Sequence, residues 1–381
     1  MICQPRPSSS PREEGRWRVL HLIKSLTVVG GAERLVLSVA TARDRERFDV
    51  NVAYVLTRPS AHLIEQFVAE GVNLHCLGVA SHYDLRWTLR FRALLARERF
   101  DVLHVHLPYT ASFGRLAARS LGSNRRPRIV HTQHNLWQHT TPVIRALHRL
   151  TYRLGDADVA VSQAAWNALP PSLRPRTEVL VHGLSFHDIG DLASSREPVR
   201  SELGIARDEV LVSTVANMRP EKGYDLLLEA AQILISGGLP IRFVAVGHGP
   251  LEEEVRNRHA QLGLEDRFQL LGFRSDALRI VAGSDIFVLA SRHEGFPVAV
   301  MEALALGVPV VSTAVGDVPL AVHNGVEGLV VPAGDVTSLA DALRLLAGDA
   351  SRREEMSKAA RQAGLRFDIE RTVRRLESIY T

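Results

Sequence analysis

Glu294 and Glu302 stand eight positions apart in Ser291-Arg292-His293-Glu294-Gly295-Phe296-Pro297-Val298-Ala299-Val300-Met301-Glu302-Ala303, a segment that follows one apolar run and enters another. Pro297 suits the first helical position, where its fixed φ and missing N–H cost nothing. The backbone around Gly295, Phe296, Pro297 and Val298 then presents free amides and the positive end of a helix, a setting for a phosphate or diphosphate. At 1.5 Å per residue Glu302 lies about 7 to 8 Å along the axis from Pro297. It can therefore reach a ribose while Glu294 stays beside the amides, and the pair brackets two parts of one ligand. A glutamate within the apolar stretch Val298 to Leu306 needs a partner if buried.

Lys222 is one of only three lysines in the chain and sits in Pro220-Glu221-Lys222-Gly223 after an apolar strand, a place for a phosphate-binding cation. Gly30-Gly31 follows the first strand, and two glycines permit φ > 0 and close backbone approach. Neither this pair nor Gly247-His248-Gly249 extends to G-x-G-x-x-G, which argues against a dinucleotide-dependent dehydrogenase. His104 and His106 end one strand, and His131 and His134 end the next. Residues two apart share a face, so His104 and His106 with His131 or His134 could hold a metal. No carboxylate or cysteine stands at matching spacing, and no metal is expected. Asp156-Ala157-Asp158 reads as a helix-to-strand turn rather than a metal motif.

These residues need positioning elements, and the apolar rhythm supplies them. Strands are expected at 19–23, 49–56, 73–77, 102–106, 129–132, 159–162 and 179–181. After a polar segment at 194–201 they resume at 210–216, 242–246, 268–271, 286–289, 308–312 and 328–331. Helical spacing falls at 33–43, 85–98, 110–121, 224–236, 251–262, 298–306, 338–347 and 369–380. The chain of 381 residues is too long for one ordinary core. The fold class is α/β, with two parallel-sheet domains in tandem. Residues 1–16 read as a disordered leader, 17–190 as a first domain, 191–365 as a second and 366–381 as a final helical stretch. Open α/β sheets bind ligands at the carboxyl ends of their strands, which predicts an active site in a cleft between the domains.

Hydrophobic residues at 46% allow sizeable cores, and the most apolar long stretch, 296–316, is broken by Pro297, Glu302 and Pro309, so no membrane span is expected. Two cysteines give no disulfide framework and fit a reducing compartment. Residues 1–190 hold 25 Arg and Lys against 15 Asp and Glu, a balance of +10, whereas 191–381 hold 21 against 27, a balance of −6. The basic half points to an anionic partner: an acidic membrane surface or a phosphorylated substrate. Nucleic acid is not expected, since aromatics are 6% and no recognition motif occurs.

The Glu294-x7-Glu302 segment resembles the donor site of the family 4 retaining glycosyltransferases of the GT-B fold. With it go Gly307-Val308-Pro309-Val310-Val311-Ser312-Thr313, Val315-Gly316-Asp317-Val318-Pro319 and Gly328-Leu329-Val330-Val331-Pro332. Pro220-Glu221-Lys222-Gly223, Gly247-His248-Gly249-Pro250 and Gly30-Gly31-Ala32-Glu33-Arg34 are similar to further motifs of that family, and the resemblance covers about residues 18–380. It implies two Rossmann-like domains, an N-terminal acceptor-binding domain over 17–190 to which a helix over 366–381 returns and a donor-binding domain over 191–365, and transfer of a sugar from a nucleotide-diphosphate sugar, with no metal or other cofactor. By resemblance Lys222 holds the phosphates, Glu302 the ribose and Glu294 the sugar hydroxyls. His134 faces the donor sugar, Phe273 meets the base through its backbone, Gly31 belongs to the glycine loop, and His106 lines the acceptor site. The position five before Lys222 is commonly Arg in the family; here it is Asn217, with Arg219 two residues on as a substitute. His182-Gly183 replaces a common Asn-Gly.

The implied acceptor is a glycan, a lipid-linked sugar or a small molecule. The implied location is cytoplasmic, extending to the inner membrane face if the basic half meets anionic lipid. Two competing readings are another GT-B enzyme, such as a nucleotide-sugar epimerase or a phosphorylase, and a non-catalytic nucleotide-sugar-binding protein.

Overall fold

The computed structural model describes residues 15–381 apart from 27–30, 58, 82, 135, 136, 138, 139, 182, 186–188 and 190. Positions 1–14 of the expected leader, Gly30 of the glycine pair and His182 of the His-Gly turn lie outside the described residues. The chain divides into two compact units, one of residues 1–183 with Ile369–Thr381 and a second of Leu184–Asp368.

The first unit is built on β1 (Trp17–Ile23), β2 (Phe48–Leu56), β3 (Asn73–Val79), β4 (Val102–His106), β5 (Arg128–Gln133), β6 (Ala157–Ala160) and β7 (Thr177–Val179). They form one sheet in the order β3-β2-β1-β4-β5-β6-β7, every pair parallel. Alternate residues feed opposite faces. Val19, Ile23, Val50 and Val52 pack with Leu35, Val36 and Val39 of the helix Gly31–Ala42, while Leu20, Leu22, Ala53 and Leu103 pack with Trp87, Phe91 and Ala111. The helix Ile369–Tyr380 joins the first of these layers, burying Ile369, Val373, Leu376 and Tyr380 at helical spacing. Thr372 Oγ1 anchors it by donating to the Val181 carbonyl at 3.0 Å.

The second unit carries β8 (Val210–Val215), β9 (Ile241–Val246), β10 (Phe268–Gly272), β11 (Ile286–Leu289), β12 (Val310–Thr313) and β13 (Gly328–Val331), all parallel, in the order β10-β9-β8-β11-β12-β13. Both orders step outward from a central strand and reverse, the doubly wound plan whose loops at the carboxyl ends of the central strands carry ligand sites.

All thirteen expected strands form, but β1, β6 and β7 begin two residues earlier than the apolar pattern indicates. Trp17 starts β1 because its amide donates to the Arg47 carbonyl at 2.7 Å, just ahead of β2. Asp158 enters β6 because Arg115 meets it at 3.0 Å, both fully buried. Ser162 leaves the strand to cap the helix Gln163–Asn167 through the amide of Ala165 at 3.0 Å. The stretch at 194–201, read as a polar segment, contains most of the helix Arg196–Glu202. The helix Ala350–Gly364 escapes a reading of apolar spacing because its inner side is mostly small residues, Ala360, Ala363 and Gly364 beside Met356. The divide falls at 183/184 and 368/369, whereas the sequence suggests 190 and 366. The Leu184 amide donates to the Phe367 carbonyl at 2.6 Å and ties both connecting stretches into the second unit.

Candidate functional site

In the second unit the loops after β8 and β11 meet. Pro297 precedes the helix Val298–Leu306 with extended backbone, φ −73° and ψ 119°. Lys222 Nζ donates to Glu294 Oε1 at 2.5 Å, and Ser291 Oγ donates to the same oxygen at 2.8 Å. The two charged side chains are 20% and 11% exposed, shielded from bulk water without being sealed from a ligand. Gly223 closes the Lys222 loop at φ +62°, and a Cβ there would lie 2.1 Å from the Ala290 carbonyl oxygen, so only glycine fits. Two further bonds staple the loops: the Arg292 amide donates to the Glu221 carbonyl at 2.7 Å, and the Arg292 guanidinium pairs with Asp225 at 2.5 Å.

The Glu294 loop has a second support. Asp317 N–H donates to the Gly295 carbonyl at 2.8 Å, and Thr313 Oγ1 to the Ser291 carbonyl at 2.6 Å. Gly316, at φ +52°, lies so close that a Cβ would stand 2.0 Å from the Gly295 oxygen. Val315-Gly316-Asp317 thus acts as a rigid backing for Glu294 and Gly295. Glu302 lies mid-helix and 7% exposed, within an otherwise apolar buried helix.

Asn217 and Arg219 follow β8, and Arg219 is exposed with no ion pair to any other described residue. Gly247 and Gly249 let the next loop close on this one: a Cβ at Gly247 would meet the Ala216 oxygen at 1.9 Å and one at Gly249 the Met218 oxygen at 2.5 Å. Phe273 is 56% exposed, and its ring meets His248 edge-on at 5.5 Å. An exposed aromatic beside an imidazole at a strand end is a surface for a flat ring, and no core packing accounts for it.

In the first unit Gly31 opens the helix Gly31–Ala42. Glu33, 6% exposed in that helix's first turn, accepts from Ser25 Oγ at 3.3 Å, and burial pushes its carboxyl pKa up. His134 Nε2 meets His106 Nδ1 at 2.9 Å, and His106 Nε2 meets His21 Nδ1 at 3.0 Å. His106, expected to line an acceptor site, is 1% exposed with both ring nitrogens against other imidazoles, so the outermost imidazole of this chain of rings is His134. His104 bonds Tyr380 Oη at 2.7 Å and Thr132 Oγ1 at 2.6 Å, tying the returning helix to the cluster.

His131 does not join this group. It faces the opposite side of the sheet and meets Asp158 at 3.2 Å. His21, absent from the candidates that spacing suggests, takes the place expected for His131; its register opposite His104 on a parallel neighbour is the signal that finds it. His21, His104 and His106 each bring one nitrogen within 4.8 Å of the others, a donor set open to a divalent cation. Both nitrogens of His104 are already engaged, so hydrogen bonding satisfies that ring. Asp156 and Asp158, set aside as a metal motif, pair with Arg119 at 2.7 Å and Arg115 at 3.0 Å.

No helix among the described residues is long and apolar enough to cross a membrane. Residues 195–363 match the profile of glycosyl transferases group 1, and residues 29–180 that of glycosyltransferase family 4. The chain is 26% identical, over 94% of its length and 95% of the relative's, to the UDP-Gal:alpha-D-GlcNAc-diphosphoundecaprenol alpha-1,3-galactosyltransferase of Escherichia coli. It is 30% identical, over 79% of its length and 69% of the relative's, to the D-inositol 3-phosphate glycosyltransferase of Saccharomonospora viridis. The Anabaena protein HepE, solved with UDP and glucose, superposes with a TM-score of 0.82 at 21% identity over 96% of this chain and 99% of that one, a likeness of fold. With both halves matched in order and a relative at 30% identity aligned over most of its length, the chain belongs to glycosyltransferase family 4, has the GT-B fold and is a glycosyltransferase.

Proposed function

We propose that the protein moves a sugar from a nucleotide-diphosphate sugar to a phosphorylated acceptor with retention of anomeric configuration, and needs no metal. The observation that carries this reading is the Lys222–Glu294 pair, held at 2.5 Å by loops that glycines bring into contact. An ammonium beside the free amides of a helix start suits the diphosphate, and the neighbouring carboxylate suits the hydroxyls of the sugar attached to it. Glu302 takes the ribose, Phe273 and the backbone beside it the base, Arg219 stands in for the family's arginine at Asn217, and His134 touches the reacting sugar.

In the step we propose, the bond from the anomeric carbon to the diphosphate oxygen breaks and an acceptor oxygen bonds to that carbon from the same face. The acceptor's proton passes to the departing phosphate oxygen, so the products are the glycoside and a nucleoside diphosphate. Lys222 and the amides stabilise the charge that develops on the leaving group.

For the acceptor, the two relatives' names both specify a phosphorylated compound, and residues 1–190 here carry a balance of +10. A peripheral site on anionic membrane goes with a lipid-linked acceptor, and loss of vesicle binding with rising salt is its sign. The test of the reaction is proton NMR of mixtures containing UDP-, GDP- and ADP-sugars with inositol phosphate or a short-chain prenyl-diphosphate sugar. A new glycoside with the donor's anomeric configuration, formed in the presence of EDTA, is the expected result. An inverted product, or release of free nucleotide with no acceptor consumed, would overturn the reading; the latter would favour an epimerase.

A further inference from the structure

β1, β4 and the end of β5 bring a chain of imidazoles together on one face of the first sheet. His21 stands opposite His104 in the β1–β4 register, His106 follows two residues on, and His134 comes just after β5. Nδ1 of His21 is 3.0 Å from Nε2 of His106, and Nδ1 of His106 is 2.9 Å from Nε2 of His134. The His104 and His106 rings stack at 4.3 Å with 27° between planes, and His104 is itself fixed by Tyr380 and Thr132. The end of β4 is rigid: Leu107 holds φ +65°, rare for leucine, and Thr110 Oγ1 donates to the His106 carbonyl.

Burial lowers the His21 pKa to about 3 and places His104 and His106 well below the usual histidine value, so these rings are neutral. A neutral imidazole has one N–H and one bare nitrogen, so orientation passes from ring to ring. Two arrangements of His21, His106 and His134 exist. In one, His21 Nδ1–H donates to His106, and His106 Nδ1–H donates to His134. In the other every proton is on the opposite nitrogen. Nε2 of His21 is buried with no hydrogen-bond partner. The second arrangement would make that atom an orphaned buried N–H, the rarer and costlier case.

We propose that His21 and His106 are positioning residues that hold His134 in the tautomer with its proton on Nδ1. This rests on the reading of His134 as a group that touches the sugar. Nε2 of His134 is capped by His106 and Nδ1 carries the proton, so neither nitrogen serves as a general base. His134 then acts as a hydrogen-bond donor, which agrees with a reaction whose proton goes to the leaving phosphate.

The test uses the full chain with 15N-labelled histidine and long-range proton–nitrogen NMR. The expected spectrum shows His106 and His134 each protonated on Nδ1 and bare on Nε2. His21→Phe removes the first donor, whereas His21→Asn places an amide N–H near the position of Nδ1. His21→Phe is expected to lower kcat about fivefold, the worth of roughly one hydrogen bond, with donor KM unchanged and His134 shifted to a tautomer mixture. His21→Asn should restore both. A wild-type His134 protonated on Nε2, or a folded His21→Phe with unchanged kcat and spectrum, would overturn the proposal. If His21→Phe fails to fold, the wild-type spectrum decides alone. Full turnover in His134→Ala would remove the sugar contact and its catalytic consequence, while the spectrum judges the relay separately.

Discussion

Without ligand Lys222 is neutralised by Glu294 at 2.5 Å, and this makes a prediction that runs against ordinary expectation for a binding-site residue. Glu294→Gln removes the negative charge but keeps the shape of the side chain and an acceptor for Ser291 Oγ, now at 2.8 Å. A phosphate oxygen bound to the same ammonium at about 2.8 Å would stand roughly 5 Å from the Glu294 carboxylate. At that distance one unit of phosphate charge is repelled by about 0.8 kcal/mol at a dielectric of 80 and about 3.3 kcal/mol at 20. The pair is largely shielded from bulk water, so the figure lies above the fully aqueous value. We take about 1 kcal/mol, roughly a fivefold change in affinity. The variant should therefore bind free UDP or GDP about fivefold tighter by isothermal titration calorimetry, and turn over the sugar nucleotide at least about tenfold more slowly, since a charge-assisted bond to the sugar is lost. Unchanged or weaker binding of the nucleoside diphosphate would refute the idea that Lys222 must be released from Glu294 to meet phosphate.

Gly316→Ala places a methyl group 2.0 Å from the Gly295 oxygen at φ +52°, so the loop must shift; about 2 kcal/mol less stability by urea unfolding and a larger loss of nucleotide affinity are expected. Arg219→Ala should weaken nucleoside diphosphate binding about tenfold with the melting temperature of the free protein unchanged, whereas equal affinity would leave the missing arginine at Asn217 without a substitute. Stability should fall steeply in acid: His21, His104, His106, His131 and His148 are buried with pKa values lowered chiefly by desolvation, so below pH 6.5 the unfolded chain binds more protons. Their stabilisation is present above pH 6.5 and is lost progressively as pH falls below it. Asp158, raised to about 6 by burial, opposes this, gaining stability as pH falls from 7 towards 4. Glu33 and Glu377, also raised chiefly by burial, act in the same sense as Asp158, but three carboxyls do not offset five histidines, and urea midpoints that rise between pH 7 and 5.5 would contradict the assignment.

Both sheets were legible because parallel strands buried on two faces read as short apolar runs, such as Val210 to Val215 and Ile241 to Val246. The donor loop was legible for a different reason: Pro297, Gly295 and the two glutamates are residue types whose backbone or charge demands are local. What escaped depends on pairing across the sheet. His21 looks like an ordinary core residue between Leu20 and Leu22 until the register sets it opposite His104. His131 shares a strand with Thr132 and yet faces the other layer, where Asp158 and Arg115 wait. His106 lies at a strand end, as expected, but is buried, because His134 covers the side that would have met a ligand. The role of Gly316 as backing for Glu294 is invisible in spacing, since the contact joins two separate loops.

In the function proposed above, the second unit holds a nucleotide-diphosphate sugar through Lys222, the amides after Glu294, and Glu302. Thermal unfolding with UDP, GDP, ADP and TDP, their sugars, and NAD, for wild type and Glu302→Ala, tests it directly, each protein being compared with its own ligand-free midpoint. Ligand at 100 times its dissociation constant adds about 2.7 kcal/mol. A selective upward shift with one nucleoside diphosphate and its sugars, reduced in Glu302→Ala, is the predicted result; no shift with any sugar nucleotide, or a shift with NAD alone, would contradict it.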